Sequence, residues 1–159
     1  PWVATLGAVH CSAEQKALDA AAILAAHLGL TPQVHEDLGE NDRSATGFLP
    51  PAEFEATADR FFAEPERSVR GWERALDAQQ RMLAAVRRIA RDAPPDGSSA
   101  LVSHGAVGTL LHCALSGRPI DRRWDQPANG GGNWYAFELD PPRVLGPWVP
   151  IDAPTPFGP

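Results

Sequence analysis

At 159 residues, 43% of them apolar and 21% charged, the chain has the length of one domain and the composition of a globular protein with a real core. A formal charge of −6 argues against nucleic acid or an anionic membrane surface as a partner, yet leaves room for a small phosphorylated molecule in a locally positive pocket. No apolar run is long enough to span a membrane, and nothing resembles a signal peptide; two cysteines, Cys11 and Cys113, in apolar pattern positions suit free thiols in a reducing cytoplasm.

Gly7-Ala8-Val9-His10-Cys11 reads as a short buried strand. Ser12 and Gln15 then match a capping box, a serine at the helix start answered by an amide three residues on. Ala17, Ala21, Leu24, Ala25 and Leu28 follow on one helical face, and Gly29 is placed to end the helix. Residues 33–35 suit a second short strand. Strand, helix and strand in this order make a parallel unit, so the fold class is α/β.

Residues 36–50 form a polar loop, and Pro51 opens a helix lined by Phe54, Ala58, Phe61 and Phe62 and stopped by Pro65. A longer helix covers residues 71–92, with Trp72, Leu76, Leu83, Val86 and Ala90 on one face. Arg74, Arg81, Arg87, Arg88 and Arg91 read as its solvated side. Pro94-Pro95-Asp96-Gly97 turns the chain into a buried strand at 100–102, and a helix runs on to Gly117. Strands are expected at 134–139 and, at an edge because of Pro147, at 144–149. Residues 151–159 read as a loose tail on a single domain, residues 1–159.

The chemistry gathers at two strand-to-helix turns, Cys11-Ser12-Ala13 and Ser103-His104-Gly105. Both fall at the carboxyl end of parallel strands, where α/β sheets bind ligands and helix N-termini offer N–H groups to an anion. His104 stands at the second turn, Gly105 and Gly108 leave the backbone open to a ligand, and Lys16 adds a cation one turn into the first helix. Glu40, in Leu38-Gly39-Glu40, is the carboxylate expected at the pocket edge as a proton source. The five histidines, His10, His27, His35, His104 and His112, and the two cysteines lack metal-ligand spacing, so neither metal nor organic cofactor is expected. No phosphate loop and no Gly-x-Ser-x-Gly elbow occurs. Taken singly, His104 also reads as a surface histidine, Glu40 as a solvated carboxylate and Lys16 as an exposed helix residue.

Ser12-Ala13-Glu14-Gln15-Lys16-Ala17-Leu18-Asp19-Ala20-Ala21 resembles the Ser-x-x-x-Arg-Ala-x-x-Thr-Ala motif of the histidine phosphatase superfamily, which has a phosphoglycerate mutase-like fold. Leu38-Gly39-Glu40 resembles its Leu-x-Glu, and Val102-Ser103-His104-Gly105-Ala106-Val107 its second-histidine motif, in the family's order. The resemblance implies a mostly parallel sheet flanked by helices, and hydrolysis of a small phosphorylated metabolite through a phosphohistidine. His104 would hold the phosphoryl group, Glu40 would protonate the leaving group, and Lys16 would grip a phosphate oxygen in the place of an arginine. Ser12 and Gly105 would lie against the substrate, with a homodimer left open.

The family's nucleophile belongs to an Arg-His-Gly motif on its first strand, and no Arg-His-Gly occurs here. With Pro1 at the start and Met82 the sole methionine, the expectation is an N-terminally incomplete domain. Its missing central strand would lie between the strands ending at Cys11 and Ser103, and these residues alone would be inactive. The alternative is a non-catalytic relative that binds a phosphorylated ligand or a protein partner.

Overall fold

A computed structural model describes residues 2–93 and 97–153. After a 3-10 turn at Trp2–Thr5, β1 (Leu6–Cys11) turns Val9 and Cys11 to one face of the sheet and His10 to the other. α1 (Gln15–Leu28) covers the first face, burying Ala17, Ala21 and Ala25 against Val9 and Cys11. Gly29 ends it in the left-handed region, φ 68°, which a residue without Cβ adopts freely. The capping box does not form. α1 begins three residues past Ser12, Glu14 is its extended N-cap, and no side chain caps it. Ser12 Oγ is committed to His104 and accepts only a 3.3 Å contact from the Glu14 N–H.

β2 (Gln33–Val34) and β3 (Ser98–Val102) both run parallel to β1, giving the order β2-β1-β3. The parallel sheet with helices on both faces is as expected, but the place expected for a further strand, between β1 and β3, is not open. Val9 pairs with Ala100, His10 with Leu101 and Cys11 with Val102, so no strand can be interposed there without breaking that ladder. Among the described residues, β3 has β1 as its one neighbour.

The second face carries the larger core. Leu101 of β3 packs among Phe61 and Phe62 of α2 (Pro51–Ala63), Met82, Val86 and Ile89 of α3 (Ala75–Asp92), and Val107, Leu110 and Leu111 of α4 (Gly105–Leu115). α3 starts at Ala75, later than its periodicity suggests. Val69–Gly71 is a 3-10 turn in which Arg70 has φ 54° and Gly71 φ 81°, a hand that an α-helix cannot continue. The buried stripe of α3 runs through Ala75, Ala78, Met82, Ala85, Val86 and Ile89; Leu76 and Leu83 are half-buried and Ala90 is exposed. Two of its arginines, Arg81 and Arg88, are half-buried rather than freely solvated and reach the chain after β2.

The two C-terminal strands are each interrupted. β5 (Phe137–Leu139) and β6 (Pro142–Val144) form a hairpin, while β4 (Asn133–Trp134) and β7 (Val149–Pro150) pair separately. Tyr135, between β4 and β5, donates its hydroxyl to the Gly108 carbonyl at 3.0 Å, which ties this region to α4. Residues 94–96 of the expected turn and residues 154–159 of the expected tail lie outside the described residues. Among the described residues, no helix is long and apolar enough to cross a membrane.

Candidate functional site

The carboxyl ends of the strands bring three loops together. The Ser12 N–H donates to the Val102 carbonyl at 3.0 Å, and the His35 N–H to the Cys11 carbonyl at 2.9 Å. Ser103 Oγ donates to the Leu38 carbonyl at 2.7 Å, which fixes the chain leading to Glu40 against the β3–α4 turn. Residues 12, 40 and 104, far apart in sequence, thereby become neighbours.

His104 is the N-cap of α4, with extended backbone and a buried ring. Its Nε2 lies 2.6 Å from Ser12 Oγ and 3.2 Å from Glu14 Oε1. A carboxylate can only accept, so Nε2 carries the hydrogen. Nδ1, buried and without a partner among the described residues, is then the bare nitrogen of a neutral ring. Burial holds the His104 pKa below its ordinary value; Glu14 and Glu40 pull it up, and Lys16 and Arg43 push it further down.

Glu40 occupies the N-terminus of α4. Its Oε1 accepts from the N–H groups of Asn41 and Val107, each at 3.2 Å, and its Oε2 from the Ala106 N–H at 3.4 Å and Arg43 Nη2 at 3.1 Å. The N–H groups expected to await a ligand anion are therefore met by the protein's own carboxylate, which the helix dipole also favours. The Glu40 N–H donates to Glu14 Oε1 at 2.8 Å, so one oxygen of Glu14 joins Glu40 to His104.

Lys16 is exposed in the first turn of α1 and makes no ion pair among the described residues; its charge is near enough to bear on His104. At Gly105 and Gly108 the room left by the missing Cβ is taken by side chains. A Cβ on Gly105 would come within 2.4 Å of Gln126 Nε2, and one on Gly108 within 3.1 Å of the Trp148 ring. Both glycines make room for side chains of the C-terminal segment. His112, two turns further along α4, is buried against Tyr135 and Trp148.

Four residues at or behind the site were not singled out from sequence. Glu14 bridges His104 and Glu40. Arg43 pairs with Glu40 while its guanidinium lies 5.2 Å from the Phe54 ring and 5.5 Å from that of Trp72. Arg81 donates to the carbonyls of Asp37 at 2.9 Å, Gly39 at 3.0 Å and Glu40 at 3.3 Å, and is itself held by Glu73. Arg88 grips both oxygens of Asp37 at 2.8 Å and approaches His35 Nδ1 at 3.4 Å. The one available signal is that Arg81 and Arg88 lie two turns apart on α3, so that if one faces the loop the other can.

Behind the site, His35 Nε2 lies 3.0 Å from His10 Nδ1. Arg88 can only donate, so His35 Nδ1 accepts, His35 Nε2–H donates to His10, and the buried His10 Nε2–H is left without an acceptor. Among the described residues, no group of three His, Cys, Asp or Glu side chains is arranged to hold a metal ion.

Residues 4–145 match the family model of the histidine phosphatase superfamily, branch 1. No curated protein matches the sequence. Among solved structures, a mycobacterial glucosyl-3-phosphoglycerate phosphatase superposes with a TM-score of 0.66 at 21% identity, covering 91% of this chain and 75% of that one. YhfR of Bacillus stearothermophilus superposes with a TM-score of 0.70 at 28% identity, covering 87% of this chain and 71% of its own. A protein described as mycobacterial hydrolase 2 gives 0.69 at 22% identity, over 91% and 69% of the two chains.

Proposed function

The chain belongs to the histidine phosphatase superfamily, and from that premise we propose that it serves hydrolysis of a small phosphorylated molecule through a phosphohistidine intermediate. The family and its phosphatase neighbours support a phosphatase-type function. The observation that carries the reading to these residues is His104, whose Nε2–H is held between Ser12 and Glu14 at the mouth of α4.

In this reading the His104 Nε2–H donates to an equatorial oxygen of the phosphoryl group, and the Lys16 ammonium supplies charge beside it. Most of the catalysis of phosphoryl transfer is such stabilisation of oxygens in flight. Glu14 must withdraw as the anion arrives, since its carboxylate and a phosphate repel each other at one donor. Glu40 is the proposed proton donor to the leaving oxygen. Four donors meet its two oxygens in the structure, so one of them must let go before it can carry a proton. Arg43 is the donor free to exchange partners, because a bound phosphoryl group competes for its guanidinium. The phosphoryl acceptor comes from outside these 159 residues, which hold no Arg-His-Gly. Water then attacks the phosphohistidine, releasing phosphate and returning the nucleophile. The chain by itself binds the anion without turnover.

The absent motif and Lys16 in the place of an arginine favour a second reading, a non-catalytic binder of phosphorylated ligands. Phosphatase assay of the complete reading frame separates the two. For the site itself, His104→Ala should weaken binding of inorganic phosphate at least tenfold, about 1.4 kcal/mol, without loss of fold. Unchanged affinity in a folded variant removes His104 from the site.

A further inference from the structure

The segment after α4 passes back over the mouth of that helix, and one half-buried side chain there has a donor that no described residue takes up. Asp125 Oδ1 accepts from Thr109 Oγ1 of α4 at 2.8 Å and from the Gln126 N–H at 2.7 Å, which moors the backbone of residue 126 to the helix. Asn133 Nδ2 donates to Gln126 Oε1 at 3.1 Å and to Asn129 Oδ1 at 2.8 Å, and Asn129 Nδ2 returns a bond to Asn133 Oδ1 at 3.0 Å. The Gly131 N–H donates to Asn129 Oδ1 at 3.3 Å, which fixes the sense of this reciprocal pair and with it which end of the Gln126 amide is oxygen. Its Nε2 is left lying on Gly105, the residue after His104, so close that a Cβ there would stand 2.4 Å from it. No described residue accepts from Nε2.

We propose that Gln126 is a substrate-contacting residue that donates from Nε2 to an oxygen of the phosphoryl group held at His104. The proposal rests on the phosphate-site reading of His104 given above. A neutral amide suits this role because it supplies two N–H donors without adding to the Lys16 and Arg43 charges that already bear on His104. Glycine at 105 is explained by the same arrangement, because any side chain would push the amide off the mouth of α4.

The test is calorimetric titration of the full chain with inorganic phosphate. Gln126→Ala should weaken binding three- to tenfold. Gln126→Glu keeps an oxygen for Asn133 but adds a carboxylate that repels the anion, and should weaken binding more than tenfold. The uncharged variants decide the role, because Asn133→Ala removes the brace and keeps the Gln126 donor. Were Gln126 only a brace for the loop, Gln126→Ala would bind phosphate no worse than Asn133→Ala does. That result, with His104→Ala still impaired, overturns the role of Gln126 and leaves the site intact. Wild-type protein that fails to bind phosphate, or binds it no better than His104→Ala, overturns the site reading and this proposal with it.

Discussion

Ser12 Oγ and His104 Nε2 lie 2.6 Å apart although 92 residues separate them in the chain. The contact clamps the first residue after β1 to the turn that follows β3, and it sets the direction in which the imidazole presents its hydrogen. Ser12→Ala leaves Glu14 alone to orient the ring. Urea unfolding should show a loss of about 1–2 kcal/mol, the usual cost of leaving a buried polar group short of a partner. Phosphate affinity should fall by a smaller factor than in His104→Ala.

Arg81 is the strut of the Glu40 loop, with three carbonyls and a carboxylate on one guanidinium. Arg81→Ala should cost about 2–3 kcal/mol, since several partners lose a charged donor at once. Arg81→Lys should recover less than half of that, because an ammonium cannot span the same fork. Hydrogen exchange locates the effect. The amide of Glu40 should lose protection in both variants, and unchanged exchange there would show that the loop stands without Arg81.

Acid should destabilise the fold through histidines held neutral. Burial lowers the pKa of His10, with His35 and Arg88 adding to it, and burial likewise lowers His104 and His112. The unfolded chain then binds more protons than the native one at pH values below the ordinary histidine pKa of 6.5. Stability is fully present above that value and falls as the pH drops toward the lowered native values, by at most about 1.4 kcal/mol per pH unit for each histidine. His10→Asn should flatten part of this limb in unfolding free energies measured from about pH 8 to pH 5. A wild-type profile without slope over that range contradicts the assignment.

Cys11 and Cys113 are both free and buried, and burial raises both thiol pKa values. Neither should be alkylated by iodoacetamide at neutral pH in the native protein, and both should react once it is unfolded. Rapid native labelling of either one would mean that the packing of β1 or α4 opens far more readily than the structure implies.

The residues that turn strand into helix were legible because their spacing is local: Cys11 into Ser12, Val102 into His104, Ala17 to Ala25 along one face. What stayed hidden was decided by distant partners. Ser12 looks like a helix cap until His104 claims its hydroxyl. Arg81 and Arg88 have the pattern of a solvated face, and only the return of residues 36–40 beneath α3 gives them carbonyls and a carboxylate to hold. The side chain that lies on Gly105 comes from 21 positions on, in a loop without periodicity. The strand order, too, depends on which ladder forms, and a list of apolar runs does not contain that choice.

The buried face of α1 consists of Ala17, Ala21 and Ala25, each ending in a single methyl group. A helix with so thin a lining rides low on its sheet, since the distance between packed elements follows the side chains at their contact. Ser12, Glu14 and Lys16 are carried at the leading end of that helix, so the span between them and His104 is gauged by methyls on its buried face. Enlarging one of them, at Ala21 for instance, acts as a shim: it lifts α1 and widens the gap to His104 without altering Ser12, Glu14, Lys16 or His104. If the proposed phosphate site is right, the size of ligand it admits is set in part from the back of the helix.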